Sequence, residues 1–220
     1  MLENVKAVLF DLDGTLADSV PSIRLAVNEV RRSLGLSELD YAGVIQGINR
    51  GVAFLVETTI VDDAHKGDKE YLDRMIELYT NAYSKTYTNT KETYEGFDKV
   101  FDHLKSKNIK IGVLSNKSDE FVAVLAGQLA KKGTFSATVG PTDTVTTKPD
   151  PALTERALKK LGVTREECVM VGDSEIDMLT AKNAGLRFIG ATWGYRGRKF
   201  LEEHGAELVA DKPIDLISII

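Results

Sequence analysis

Short apolar runs alternate with helical patterns along much of the chain. Four runs rich in aliphatic residues lie at 7–10 (AVLF), 110–115 (KIGVLS), 168–173 (CVMVGD) and 187–192 (RFIGAT). Near-continuous apolar strands of this kind are typical of a parallel sheet that is covered on both faces. The pattern therefore predicts a doubly wound α/β fold, whose ligands bind beyond the carboxyl ends of the strands.

The predicted helices between these strands carry their own start and stop signals. At 151–161, Asp150 is the expected N-cap, Pro151 lies in the first turn and Gly162 ends the helix. At 118–132, an acidic first turn precedes an amphipathic segment. The face of this second helix that we expect to be buried consists of Phe121, Val122, Val124, Leu125 and Leu129.

One region breaks the alternation of strands and helices. Between Asp18 and about Tyr87 no strand is predicted, and the apolar residues follow two helical faces instead. The first face consists of Ile23, Ala26, Val27, Val30 and Leu34, and the second of Leu72, Met75, Ile76 and Tyr79. We therefore predict a helical cap at 17–87, inserted into a core formed by 1–16 and 88–220, and we expect the cap to act as a lid.

The composition favours a globular protein with a small-molecule partner. Hydrophobic residues make up 43% of the 220 positions, which is enough for a sizeable core, and a net charge of −5 offers no general attraction to nucleic acid. The apolar runs are shorter than the ~18 residues that a membrane-spanning helix needs, and the N-terminus lacks the features of a secretory signal. We therefore expect a cytoplasmic protein, a monomer or homodimer, that binds neither nucleic acid nor membranes.

Polar residues gather where the predicted strands end. Because the carboxyl ends of parallel strands meet at one edge, we expect a shared site there. The residues at or near this edge are Asp11, Asp13, Ser115, Asn116, Lys148, Asp173 and Asp177. If they are ionised, Asp11, Asp13 and Asp173 carry a charge of about −3, and a phosphate monoester bound as ligand would add roughly −1.5 to −2. A single lysine cannot balance that charge, whereas Mg²⁺ with oxygen ligands can.

Four segments, in order, resemble the motifs of the haloacid dehalogenase-like phosphohydrolases, and within them the phosphoglycolate phosphatase-like branch. They are DLDGTLADS, VLSNK, TKPDP and VGDSEIDMLTAKNAG, and the resemblance covers nearly the whole chain. The segment GATWGYRGRKFLEEHGAELVAD also resembles this branch. The resemblance implies a Rossmann-like core with a cap, and a Mg²⁺-dependent phosphatase for a small phosphorylated metabolite similar to phosphoglycolate.

The resemblance also implies roles for individual residues. Asp11 would be the nucleophile that forms an aspartyl-phosphate, and Asp13 would be the general acid and then the general base. The Mg²⁺ ligands would be Asp11, Asp13 through its backbone carbonyl, and Asp173, with Asp177 nearby or acting through a water molecule. Substrate-binding residues would be Thr15, Ser115, Asn116 and Lys148.

Arg50 is a further candidate for substrate binding. The segment QGINRGVAF places it between Gly47 and Gly51, and glycines permit a tight loop. If this loop faces the site, the planar guanidinium could form a bidentate contact with the carboxylate of phosphoglycolate. The alternative is a surface arginine at the start of a helix.

Several other functions have to be weighed. Response-regulator receivers also combine clustered aspartates, Mg²⁺, a hydroxyl residue and a lysine, but they are shorter and have no insertion after the first strand. Dehalogenases of this superfamily usually lack the second aspartate, whereas this chain has Asp13. The phosphonate-cleaving members use a lysine of the cap, and residues 17–65 contain no lysine. A pyrophosphatase or a β-phosphoglucomutase-like mutase stays open, because cap side chains and closure separate these enzymes from a phosphatase.

Overall fold

A computed structural model of the chain describes residues 1–143 and 146–220. Within these residues the strands are β1 (Ala7–Phe10), β2 (Lys110–Leu114), β3 (Ala137–Val139), β4 (Cys168–Gly172), β5 (Arg187–Ala191) and β6 (Val209–Ala210). They form one sheet in the order β3-β2-β1-β4-β5-β6, and every neighbouring pair is parallel. The predicted α/β fold with a parallel sheet is confirmed.

Helices connect the strands and cover the sheet. They are α1 (Val20–Ser33), α2 (Tyr41–Ile45), α3 (Val52–Thr59), α4 (Lys69–Tyr83), α5 (Phe97–Ser106), α6 (Asp119–Leu129), α7 (Pro151–Leu161), α8 (Glu175–Ala184), α9 (Gly197–Glu203) and α10 (Leu216–Ile219). No helix in the described parts of the chain has both the length and the apolar character needed to cross a bilayer.

The centre of the sheet is buried on both faces. In β1, Val8 and Phe10 belong to one apolar cluster, and Ala7 and Leu9 to another on the opposite face, because side chains alternate along a strand. The first cluster includes residues of α5, α6 and α10, and the second includes residues of α7 and α8. This double cover explains why the four predicted runs are apolar almost throughout.

The strand order creates a crevice beside β1. After β1 the sheet grows outward through β2 and β3, and the chain then returns to place β4 on the other side of β1. Phe10 lies in register with Val113 of β2 and with Val171 of β4. The residues that follow these three strands therefore emerge side by side, where ligands bind in open α/β sheets.

Helices α1 to α4 pack around an apolar cluster of their own. From the two predicted faces, the buried residues are Ile23, Ala26, Val27, Val30, Met75 and Tyr79, while Leu34, Leu72 and Ile76 are partly buried. Each helix therefore turns its apolar stripe towards the other helices of the insertion. The division into a cap at 17–87 and a core at 1–16 and 88–220 stays a prediction.

The structure corrects some of the predicted details. Helix α6 is shorter than the predicted 118–132, because the backbone is already extended at Ala130. Val124 is 44% exposed, so its assignment to the buried face was wrong: two residues beyond the buried Val122, it lies on nearly the opposite side of the helix. Strands β3 and β6 were not predicted, since three and two residues are too few to carry a period.

Helix α7 has the termini that were predicted from the sequence. The Asp150 carboxylate accepts a hydrogen bond from the backbone N–H of Ala152 at 2.8 Å. Gly162 ends the helix in a left-handed conformation, with φ of 63°.

Candidate active site

The carboxyl edge of the sheet brings the predicted site residues together. Apart from Arg50, all of them are at most 7% exposed, namely Asp11, Asp13, Thr15, Ser115, Asn116, Lys148, Asp173 and Asp177. So many buried polar side chains need partners, because an unpaired polar group in the interior is costly. Their partners define the site.

Lys148 joins two of the aspartates. Its Nζ donates to Oδ1 of Asp11 and to Oδ1 of Asp177, both at 2.6 Å. The loop that carries it is held by Asn116, whose side-chain oxygen accepts from the Lys148 N–H at 2.5 Å and whose amide donates to the Lys148 carbonyl at 3.0 Å. Burial opposes the charge on Lys148, but the two carboxylates outweigh it and raise the pKa of the amine.

Asp11, Asp173 and Asp177 form a compact acidic cluster. One carboxylate oxygen of each lies within 4.8 Å of the other two. Burial, reinforced by the charge of Asp177 and partly offset by Lys148, raises the pKa of Asp11 to about 7. Burial, reinforced by the charges of Asp177 and Asp11, holds the pKa of Asp173 well above its usual range. The cluster thus holds more carboxyl groups than the single charge of Lys148 can neutralise when all of them are ionised.

One carboxylate oxygen of this cluster lacks an interaction partner among the described residues. Oδ2 of Asp11 is buried and has no hydrogen-bond partner among the described residues, whereas Oδ1 is held by Lys148. A buried carboxylate oxygen without a partner is rare, and a cation would satisfy it. The donor set, with carboxylate oxygens from strand ends, suits a hard cation such as Mg²⁺.

Asp173 is fixed by groups from two other loops. The hydroxyl of Thr15 donates to its Oδ1 at 3.1 Å, and the N–H of Tyr195 donates to its Oδ2 at 2.8 Å. The backbone approaches so closely that a Cβ on Gly14 would lie 2.5 Å from Asp173 Oδ2, and one on Gly194 would lie 2.2 Å from Asp173 Cβ. These two positions therefore require glycine. The structure shows Thr15 as a residue that orients Asp173, and its role in substrate binding stays a prediction.

Asp177 has two structural roles at once. Its Oδ2 accepts from the N–H and the hydroxyl of Ser174, at 3.1 and 2.6 Å, while the Ser174 hydroxyl caps α8. Its Oδ1 is the partner of Lys148. The capping interaction thus orients the carboxylate that holds the lysine.

Asp13 has different partners from those of Asp11. Its Oδ1 accepts a short hydrogen bond from the Ser19 hydroxyl, and Nζ of Lys117 lies 3.2 Å from the same oxygen. Lys117 also donates to the hydroxyl of Tyr83, on α4, at 2.7 Å. Asp13 therefore lies where the strand ends meet the inserted helices.

Three residues that contact Asp13 or Asp173 were not predicted from the sequence as site residues. Ser19 ends the first motif, Lys117 ends the second and Tyr195 follows the TWG segment. Their positions inside recognised segments were the signal that could have found them. The hydroxyl of Tyr195 accepts from the Ser19 N–H at 3.1 Å, and its backbone N–H donates to Asp173 at 2.8 Å.

A cavity of about 470 Å³ lies between these strand ends and the inserted helices. Polar lining residues come from the sheet edge, among them Asp11, Asp13, Ser115, Asn116 and Lys148. Apolar lining residues come from the insertion, among them Ile23, Ile48, Val52, Ile76 and Tyr79. This combination of a few polar groups with an apolar wall is typical of a site for a small molecule.

Arg50 lines this cavity, but its guanidinium is already engaged. Nη2 donates to Oε1 of Glu175, at the start of α8, at 2.9 Å, and the group lies 5.1 Å from the centre of the Phe54 ring. The side chain is 47% exposed. The loop does face the strand ends, as the first of the two interpretations requires, and contact with a substrate carboxylate stays a prediction.

The parallel sheet and the polar side chains at its carboxyl edge are those of a haloacid dehalogenase-like hydrolase. Residues 8–191 match that family, and the chain belongs to it. It is an enzyme of that class, as the four motifs predicted.

Its relatives include phosphoglycolate phosphatases. Phosphoglycolate phosphatase 1 of Pseudomonas aeruginosa is 33% identical over 96% of this chain and 78% of its own length. The phosphoglycolate phosphatase of Chromobacterium violaceum is 31% identical over 100% of this chain and 98% of its own. A crystal structure from Lactobacillus delbrueckii subsp. bulgaricus, provisionally assigned as a phosphoglycolate phosphatase, superposes with a TM-score of 0.89 at 28% identity, covering 99% and 98% of the two chains. The predicted resemblance to this branch is confirmed.

Proposed function

We propose that this protein is a Mg²⁺-dependent phosphatase that hydrolyses a small phosphate monoester through an aspartyl-phosphate. Phosphoglycolate is the first candidate substrate, because relatives that are 33% and 31% identical to this chain carry that activity in their names. The proposal depends on the surroundings of Asp11. One of its oxygens is held by Lys148, and the other is buried without a partner among the described residues, beside a cavity large enough for a metabolite.

In the first step an oxygen of Asp11 attacks phosphorus, and the bond from phosphorus to the ester oxygen breaks. Asp13 gives its proton to the departing alkoxide, so that an alcohol leaves. In the second step water attacks the aspartyl-phosphate, and Asp13 takes the proton of that water. Inorganic phosphate leaves and both aspartates return to their starting state.

The chain offers a site for the metal at the same place. Asp11, Asp173 and the backbone carbonyl of Asp13 would hold Mg²⁺, and Asp177 would lie behind them because Lys148 and Ser174 already occupy its oxygens. When bound, Mg²⁺ would neutralise charge on the carboxylates and on the phosphoryl oxygens. Without such a cation, the cluster and a phosphate dianion would repel each other.

Phosphoryl oxygens would be held by donors on the two loops beside β1. The Ser115 hydroxyl accepts from the Lys117 N–H at 3.2 Å, which leaves its own hydrogen free to donate. Lys148 and the backbone N–H of Asn116 would supply further donors. The cap at 17–87 would close its apolar wall over the phosphoryl group and limit the access of water during transfer.

The proposal is tested first at the nucleophile. Asp11→Asn removes the attacking charge while keeping the shape of the side chain, so turnover should fall to background and the protein should stay folded. The measurement is phosphate release with Mg²⁺ and with a chelator present, using Asp98→Asn, an exposed aspartate on α5, as the matched control. Full turnover in Asp11→Asn, with contaminating phosphatases excluded, would rule out the covalent mechanism.

A substrate panel separates the proposal from its alternatives. It contains phosphoglycolate, sugar phosphates, nucleotides and pyrophosphate, each assayed with Mg²⁺. A phosphate monoester should rank highest. A clear preference for pyrophosphate, or the transfer of phosphate between sugar positions, would point to the pyrophosphatase or the mutase instead.

A further inference from the structure

Lys117 occupies an unusual position for a residue that the proposed chemistry does not use. It directly follows Ser115 and Asn116, its side chain is only 7% exposed, and it lines the cavity. Its Nζ contacts a carboxylate of the sheet edge, Asp13 at 3.2 Å, and a hydroxyl of an inserted helix, Tyr83 at 2.7 Å. The ammonium also lies 4.6 Å from the centre of the Tyr83 ring.

This geometry leaves the ammonium able to bind a ligand. An ammonium has three N–H donors, and two of those of Lys117 have partners among the described residues. The third is available to an oxygen within the cavity. Its charge acts strongly there, because a site with apolar walls and an aromatic face screens less than water does.

Lys117 also lies on the side of the cavity where the leaving group has to be. Asp13 delivers its proton to the ester oxygen, so the atoms next to that oxygen lie near Asp13 and therefore near Nζ of Lys117. In phosphoglycolate a single methylene separates the ester oxygen from the carboxylate. An acidic group at that distance can reach the ammonium while phosphorus faces Asp11.

The other cationic side chains of the cavity are less suited to bind an acidic group on the leaving group. Among the described lining residues, the cationic side chains are Arg50, Lys117 and Lys148. Lys148 is held by two carboxylates and serves the phosphoryl group, and Arg50 is half exposed and paired with Glu175. Lys117 is the buried cation that adjoins the leaving group.

We propose that Lys117 binds a carboxylate on the leaving group and thereby makes the enzyme select short phosphorylated acids over neutral phosphate esters. This inference rests on the proposed phosphatase function and deepens it. Lys117 takes the role of anchor that the sequence had suggested for Arg50.

The test compares two esters of the same shape and different charge. They are phosphoglycolate and its carboxamide analogue, in which a neutral amide replaces the carboxylate. Loss of a charged hydrogen bond should make Lys117→Met lose about 10- to 100-fold more kcat/KM on the acid than on the amide. Lys117→Arg should keep a preference for the acid, and Lys85→Met, which removes an exposed lysine paired with Glu29, should leave both activities unchanged.

The outcomes separate the inference from the function on which it rests. Equal losses on both esters in Lys117→Met, or a wild-type enzyme without preference for the acid, would overturn the role of Lys117 and leave the phosphatase intact. A loss of preference in Arg50→Ala but not in Lys117→Met would assign the anchor to Arg50. If the wild-type enzyme hydrolysed no phosphate ester at all, including nitrophenyl phosphate, the proposed function itself would fail. Thermal unfolding of each variant shows whether the fold is retained, and Lys117→Arg keeps the test decisive if the methionine variant unfolds.

Discussion

Asp11 and Asp13 are separated by one residue, but their surroundings prepare them for different chemistry. Asp11 has a lysine on one oxygen, and its second oxygen has no partner among the described residues, which suits the nucleophile that we propose beside a candidate metal site. Asp13 is turned towards the inserted helices, where Ser19 and Lys117 contact its Oδ1. Two identical side chains thus have different partners, and this difference is the basis of the different roles that we propose for them.

This difference predicts how Asp13→Asn affects turnover. An amide cannot protonate the leaving alkoxide, and alkyl alcohols need that proton far more than nitrophenol does. We expect hydrolysis of alkyl phosphates to fall about 10²- to 10⁴-fold, with a much smaller loss in the first step for nitrophenyl phosphate. Pre-steady-state release of nitrophenol measures that first step directly. Equal losses of the first step for both esters would contradict the role of Asp13 as the acid.

Among the elements, α8 links the stability of the fold to the site. Its first turn carries the capping pair of Ser174 and Asp177, and the same Asp177 positions Lys148 against Asp11. Beside it, Gly172 packs so closely that an added Cβ would lie 2.3 Å from Cβ of Asp177. The start of this helix therefore both caps α8 and holds the lysine that contacts Asp11, the nucleophile that we propose.

Ser174→Ala tests this link. It removes the cap and one donor to Asp177, so the free energy of unfolding should fall by about 1 kcal/mol, and up to about 2 kcal/mol. Ser118→Ala is the matched control, because Ser118 is the N-cap of α6 but makes no side-chain capping bond, and its effect should stay within about 0.5 kcal/mol. Urea denaturation monitored by circular dichroism gives both values. Similar values for the two variants would argue against the importance of the Ser174 cap.

At the scale of the whole molecule, folding buries the three carboxyl groups of Asp11, Asp173 and Asp177 against the single ammonium group of Lys148. Burial and Asp177 raise the pKa of Asp11 to about 7, well above its value of 3.8 in an unfolded chain. The folded protein therefore holds more protons than the unfolded one between these values. The contribution of Asp11 to stability is full below about pH 3.8 and is lost as the pH rises through about 7.

Mg²⁺ should reverse that loss, because it binds the ionised cluster. We expect the rise in Tm produced by millimolar Mg²⁺ to be small near about pH 5 and larger near about pH 8. In Asp11→Asn the rise at the higher pH should be smaller, since a carboxylate ligand is gone. Thermal unfolding with Mg²⁺ or a chelator at both pH values measures this. A shift that is independent of pH in the wild-type protein would show that the cluster is not the site of binding.

The sequence determined the features that depend on local patterns. The apolar run at 7–10 followed by Asp11 and Asp13 placed the site at a strand end, and Asp150, Pro151 and Gly162 set the limits of α7. The order of the four motifs identified the family, which the match over 8–191 confirms. The strand end and the limits of α7 follow from side-chain periodicity and backbone preference, which act over a few residues, whereas the family follows from the resemblance of the motifs.

Only the tertiary structure decided which distant side chains meet. Lys148 binds Asp11 across 137 positions of the chain, and Arg50 reaches Glu175 across 125. Such pairs depend on how whole elements are placed, because a period shows which face is buried but not what lies opposite. The same reason explains why the buried contact between Lys117 and Asp13 was not predicted. The sequence therefore indicated the chemistry at the strand ends, while the packing of the inserted helices against the sheet edge decided which cation lies between Asp13 and Tyr83.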